Sequence, residues 1–379
     1  MPSITVYFAT LVFLSFTIAC EINHGCVHAL KDEENNKSSV KTIKSEDGSV
    51  IDCVDIYKQP AFDHPLLRNH TIQMRPTAYP DGINMNTPAI NITKVICPEG
   101  TIPILRTQPF ETKLGRKSLN FEHPQVSGHE HAVVYLTGKY LGAHASINVW
   151  QPNVRTPAPA PEFSLSQIWV ISDNSQNRAT AEAGWMVFPA FFKDSQTRFF
   201  LYWTDDNYQQ TGCYNLNCPG FVQTNKHFAL GSVIKPVSTY KEKQFDISIT
   251  IYKDRANGNW WVSLQNEILG YWPASILTGL QNGASDLSWG GEVVNTQPDG
   301  RHTTTQMGSG HFPYEGYAKS SYFRNIQVVD TKHNMASPVG MYPIATKPGC
   351  YDLHIEANKN TAYGYYFYYG GPGLSQNCR

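Results

Sequence analysis

The chain has little charge and no excess of either sign. Its 379 residues carry 30 Lys and Arg against 31 Asp and Glu, and charged residues make up 16% of it. No lysine- or arginine-rich run stands out, so nothing supports nucleic acid as a partner. Stretches with helical period are scarce. Beyond residue 19 no apolar run is long enough to span a bilayer, so no membrane anchor is expected in the mature chain. Two common hydrolase signatures are approached but not met. A zinc-type HExxH motif at His129, Glu130 and His131 meets Val133 where its second histidine belongs. A G-x-S-x-G elbow around Ser309 is broken by Met307, which leaves Ser309 and His311 in a glycine-rich turn. His129 and His131 form only a two-ligand set, so no metal and no cofactor is expected.

Aromatic residues, in contrast, are abundant, with 21 Tyr, 18 Phe and 8 Trp beside 28 Gly and 24 Pro. That mixture points to β structure with many turns. The clearest strand is QFDISITIY at 244–252, where Phe245, Ile247, Ile249 and Ile251 alternate with polar partners. NGNWWVSL follows at 257–264, and Asn257-Gly258 is a good hairpin turn. Further runs are HAVVYL, ASINVW, SQIWVIS, GWMVFPAFF, TRFFLYW and FRNIQVV. Short strands at this spacing, all after residue 128, predict an all-β sandwich or barrel.

Residues 4–19 form an apolar run followed by a polar segment, the pattern of a signal peptide, although no Lys or Arg precedes it. Val27-His28-Ala29 offers a cleavage site, with Thr17-Ile18-Ala19 as a second. Cleavage after Ala29 leaves six cysteines, an even number suited to an oxidising, secretory compartment. By segment, these six pair as Cys53 with Cys97, Cys213 with Cys218, and Cys350 with Cys378. Sequons at Asn36, Asn69 and Asn91 fit the same secreted, extracellular route. Residues 30–51 are polar enough to predict disorder or loose structure. Residues 52–110 are proline-rich and lack periodicity. Their apolar clusters, Ile56-Tyr57 and Leu66-Leu67, suit docking onto another domain. Residues 111–128 read as a linker.

Two glutamates stand out. Glu182 lies in AEAGWMV and Glu292 in SWGGEVV, each beside glycine and tryptophan in a strand-like run. Glycine in a strand leaves room for close approach, and an adjacent indole would desolvate a carboxylate and raise its pKa. A carboxyl pair with separated pKa values supplies an acid and a base. Taken on spacing alone, two strand-end glutamates beside core tryptophans remain the commoner situation.

These residues belong to a longer ordered series. DCVDIYKQPAFDHPLLRNH in the first part is followed by EAGWMVFP, YWTDDNYQQTGCYNLNCPGFVQ, GNWWV, LGYWP, WGGEV and MGSGHFP. In this the chain resembles the neprosin family, plant secreted proteins with an activation peptide and a neprosin domain. The resemblance implies a bent antiparallel β-sandwich catalytic domain at 125–379, preceded by a small pro-domain at 30–124 and a signal peptide at 1–29. It implies a glutamic, proline-specific endopeptidase working in acid, with catalytic glutamates at Glu182 and Glu292. Substrates would be proteins or peptides containing proline, and Trp185, Tyr214 or Trp289 would stack on that proline. The pro-segment would act as an intramolecular inhibitor, removed by the enzyme itself after Pro109 or Pro124. Two alternatives stay open on the residues alone: a glycoside hydrolase, and a silent glycan- or wall-binding sandwich.

Overall fold

The computed structural model describes residues 39–83, 94–107, 128–174, 177–265, 267–356 and 363–379. The first part of the chain builds its own small sheet. Strands β1 (Ser39–Lys44), β2 (Val50–Asp55) and β3 (Thr101–Leu105) pair antiparallel in that order. The looseness expected over 30–51 is therefore corrected for residues 39–51. Ile51 and Cys53 are buried, because β2 lies between two partners and Cys53 bonds to Cys97. A polar composition does not prevent a strand from forming when other strands complete its hydrogen bonds. Three 3-10 turns follow β2. Two start at Pro60 and Pro65, where the missing N–H costs nothing.

The rest is an antiparallel β-sandwich. One sheet has six strands: β4 (His129–Tyr140), β6 (Ser164–Asn174), β7 (Asn177–Val187), β8 (Arg198–Thr204), β13 (Ala284–Val294) and β16 (Tyr342–Ala345). Their order is β16-β4-β13-β6-β7-β8. The other sheet has nine. They are β5 (Gly142–Asn148), β9 (Val222–Gln223), β10 (Asp246–Lys253), β11 (Trp260–Leu264), β12 (Glu267–Trp272), β14 (Ser321–Val329), β15 (Met335–Ala336), β17 (Asp352–Ile355) and β18 (Phe367–Gly370). The alternation read at 244–252 is realised in β10. Ile247, Ile249 and Ile251 face the six-stranded sheet and meet residues such as Ala181, Ala183 and Trp289. Full burial of aliphatic and aromatic side chains here stabilises by roughly 1.5–3 kcal/mol each. Cys213–Cys218 and Cys350–Cys378 are also disulfide-bonded.

The early segment packs on the opposite, outer face of the nine-stranded sheet. Ala61 joins Val222, Tyr252, Trp261 and Tyr271 in one cluster. Ile56 and Leu67 are buried in the main core, while their sequence neighbours Tyr57 and Leu66 are exposed. Polar contacts fix the seat. Gln59 Nε2 donates to the Gln223 carbonyl at 3.2 Å, and the Gln223 N–H donates back to Gln59 Oε1 at 2.8 Å. Asp254 accepts from the Thr77 N–H at 2.7 Å and from Gln73 Nε2 at 3.2 Å. Among the described residues, no helix is long and apolar enough to cross a membrane. The signal-peptide, linker and cleavage sites, including His123-Pro124 and Pro109, lie outside the described residues, as do Asn36 and Asn91. Asn69 is exposed at the end of a turn.

Candidate active site

The outer face of the six-stranded sheet carries a cleft of about 900 Å³. Strand register explains how it is built. On β6, Leu165, Gln167 and Trp169 share the outward face, since side chains alternate. Trp169 is opposite Glu182 on β7, and Leu165 is opposite Glu292 on β13. Gln167 is opposite Gly184 on one side and Gly290 on the other. Each glutamate thus has a glycine two residues away on its own face. Both glycines fall in the row of Gln167 and leave a trough between the carboxyl groups. Neither position tolerates a side chain: a Cβ at Gly184 would lie 2.0 Å from the Ser166 carbonyl oxygen, and one at Gly290 would lie 2.3 Å from that of Ala132.

Glu182 and Glu292 are each 4% exposed. Three side chains donate to Glu182. Thr180 Oγ1 and Tyr208 OH reach Oε1 at 2.6 and 2.7 Å, and Gln167 Nε2 reaches Oε2 at 2.8 Å. Burial still dominates and pushes the Glu182 carboxyl up to about 7, with the charge of Glu292 adding to the rise. Glu292 is also buried, which by itself raises its pKa. Hydrogen bonds from His129 and His131, with their positive charge, outweigh this and hold it at about 2. His129 Nδ1 bonds Oε1, and His131 Nε2 lies 3.7 Å from Oε2. The two histidines weighed above as a metal pair therefore share a carboxylate. They alternate on β4, and the register puts His131 directly opposite Glu292.

Tyr208 depends on a strained turn. Asn207 and Tyr208 both have φ near +60°, which costs on the order of 1–3 kcal/mol per residue. The Asp206 carboxylate offsets this by accepting the N–H groups of Gln209, Gln210 and Thr211 at 3.1, 2.7 and 2.8 Å. Beside it, Tyr214 closes an aromatic recess of the cleft. Its ring centroid lies 4.9 Å from Tyr202, 5.4 Å from Phe191 and 5.8 Å from Phe200.

The structure brings together Glu182, Glu292 and Tyr214. It does not bring Trp185 and Trp289 to the cleft, and that expectation is corrected. Both indoles are fully buried between the sheets, on the face opposite the glutamates. They stand an odd number of residues from their glutamates, so alternation sends them inward. Trp185 Nε1 donates to the Asn148 carbonyl at 3.0 Å inside that core. Trp169, opposite Glu182 in the sheet, is the indole on the carboxyl face. Ser309 and His311 sit in a turn where His311 Nδ1 is 2.9 Å from Glu315 and the ring stacks on Tyr240. His302, Cys350 and Cys378 cluster closely enough to suggest a metal site. The two sulfurs are joined in a disulfide, so no thiolate is available to a metal. Sequence reasoning missed Gln167, Thr180 and Tyr208. Two of these had a signal: Thr180 is two residues from Glu182, and Gln167 interrupts the apolar face of β6.

From the early segment, Thr107 Oγ1 donates to Asn217 Oδ1 at 3.3 Å, at the rim of the cleft. The polar contacts of Gln59, Gln73 and Thr77 lie at the other sheet, and Ser49 Oγ accepts from Arg198 of β8 at 3.4 Å.

A weak likeness in fold extends to two solved structures. One is a scytalido-glutamic peptidase with a peptide-based transition-state analogue. It is 8% identical, with a TM-score of 0.32, over 65% of this chain and 98% of that one. The other is SCP-B, an eqolisin-family peptidase in complex with the tripeptide Ala-Ile-His. It is 8% identical, with a TM-score of 0.31, over 64% of this chain and 98% of that one. Likeness at this level carries no chemistry across. Family models are more specific. The neprosin activation peptide matches residues 42–135, a span that runs from β1 into β4. The neprosin model matches residues 160–372, which takes in β6, β7 and β13 with the cleft residues they carry, and on that match the chain belongs to the neprosin family.

Proposed function

We propose that the chain is a secreted zymogen of a glutamic endopeptidase that cuts after proline in acid. One observation carries this reading: two buried glutamates in one cleft have proton affinities driven apart, to about 7 and about 2. Between those values the pair holds a single proton, on Glu182. Glu292 is then the base. It takes a proton from a water that attacks the scissile carbonyl. Glu182 is the acid. It gives its proton to the leaving nitrogen as the C–N bond breaks. The aromatic recess around Tyr214, Tyr202 and Phe200 offers a rigid apolar seat for a pyrrolidine ring. The matched activation peptide supports a zymogen, with the early segment as its removable part. The test is digestion of a mixed peptide library at acid pH by wild-type, Glu182→Gln and Glu292→Gln proteins. New termini after proline, lost in both variants, are expected. Cleavage by either variant at near wild-type rate refutes the pair, and activity on glycans instead of peptides refutes the reaction class.

A further inference from the structure

Gln167 occupies the trough between the two carboxyl groups with no side chain on either flank, because its neighbours across both strand pairs are Gly184 and Gly290. It is 1% exposed, and it lines the cleft. One end of its amide is engaged, since Nε2 donates to Glu182 Oε2 at 2.8 Å. The other end, Oε1, is buried and has no hydrogen-bond partner among the described residues. A buried amide oxygen left unpaired is costly and calls for a reason.

The reason lies in which oxygen of Glu182 can carry a proton. Glu182 Oε1 already accepts two hydroxyl hydrogens, from Thr180 and Tyr208. A proton on the acid form therefore sits on Oε2, the oxygen facing Gln167. An Oε2–H cannot accept from Gln167 along the same line; it must donate. The two ends of an amide are nearly the same size, so a half-turn of the group satisfies the new pattern. The Gln167 oxygen then receives the Glu182 proton, and the NH2 group moves to the place now held by Oε1.

We propose that Gln167 is a catalytic residue: with Glu182 protonated, its amide turns so that Oε1 accepts from Glu182 and Nε2 donates to the oxyanion formed on the attacked carbonyl. This rests on the glutamate-pair reading given above. No extra bond is made or broken. Once Glu182 has passed its proton to the leaving nitrogen, its carboxylate again accepts from Gln167 Nε2, the arrangement seen in this structure. The turn is thereby locked to the protonation state of the acid. The titratable groups around this centre are Glu182 and Tyr208 on one side and Glu292, His129 and His131 on the other.

The experiment is Gln167→Met in the full chain, activated as for wild type, with kcat and KM measured on a prolyl peptide. Loss of one oxyanion donor predicts a fall in kcat of roughly 10²- to 10³-fold with KM within about threefold. Substrate Kd in a Glu292→Gln background should be unchanged by adding Gln167→Met. Affinity for a peptide with a tetrahedral phosphinate at the scissile position should fall in step with kcat/KM. Turnover within fivefold of wild type, or undiminished phosphinate affinity, overturns the proposal. If the Met variant does not fold, Gln167→Ala is measured in the same way with the same criteria. Failure of the glutamate pair itself would show separately, as activity retained in Glu182→Gln or Glu292→Gln.

Discussion

Glu182 and Glu292 rise from the same face of one sheet, on the two strands that flank β6, yet their surroundings move them in opposite directions. Glu182 accepts only from neutral donors, which do not offset its burial. Glu292 has two imidazoles beside it, which do. The asymmetry comes from β4. That strand delivers His129 and His131 to Glu292 and lies too far across the sheet to reach Glu182.

A bell-shaped pH profile follows. Activity needs Glu292 ionised and Glu182 protonated, so kcat/KM should rise with an acid limb near 2 and fall with an upper limb near 7. Replacing His129 or His131 by Asn removes the groups that hold Glu292 down. The acid limb is then expected to move up by at least one pH unit while the upper limb stays in place. Rate profiles on a prolyl peptide from pH 2 to 8 measure both limbs. A fixed acid limb in both variants would show that the histidines do not govern Glu292.

Tyr208→Phe should act on the other limb. The phenol stabilises the Glu182 carboxylate, and a hydrogen bond to a charged group is worth about 1.5–3 kcal/mol. Its loss raises the Glu182 pKa, so the upper limb should shift alkaline by about one unit or more. The same profiles detect this shift, and movement of the limb towards acid would contradict it.

Tyr214 and Trp185 give a contrast between cleft and core. Tyr214→Ala should raise KM for prolyl peptides about tenfold or more, since it empties the aromatic recess. Trp185→Phe should leave KM within about twofold. It should nonetheless lower stability by about 1–3 kcal/mol, because the buried Asn148 carbonyl loses its donor. Steady-state kinetics beside denaturant unfolding separate the two outcomes.

Docking of the early segment should weaken in acid. His70 Nε2 lies 2.7 Å from Tyr271 OH across the interface, and burial lowers the pKa of both His70 and His64. A histidine held neutral when docked but free to protonate when released contributes its full stabilisation above pH 6.5. That contribution is lost as pH falls below 6.5 towards the depressed value. His70→Gln, which cannot titrate, should therefore release the segment less readily at pH 5 than wild type does. Limited proteolysis of the segment at pH 7 and pH 5 reads the difference. Equal acid sensitivity in the two proteins would remove His70 from the mechanism.

Alternation is local, so sequence by itself marked most of the strand runs of the sandwich, though GWMVFPAFF leaves its strand at Val187 for a helical turn over Pro189–Phe192 because proline opens a helix without a lost donor. Cysteine parity and the motifs around Glu182 and Glu292 were equally legible. Ile247, Ile249 and Ile251 had to share a face whatever sheet they joined. Had alternation been applied to Glu182 and Trp185, or to Glu292 and Trp289, it would also have sent the indoles away from the carboxyl groups. Register between strands distant in sequence is another matter. That Gln167 lies between Gly184 and Gly290, or that His131 faces Glu292 across 161 positions of chain, depends on which strands become neighbours and how they slide. Those choices are made by burial summed over whole sheets. The pKa values follow from them, because desolvation and hydrogen bonding are set by groups that meet only when the chain is folded.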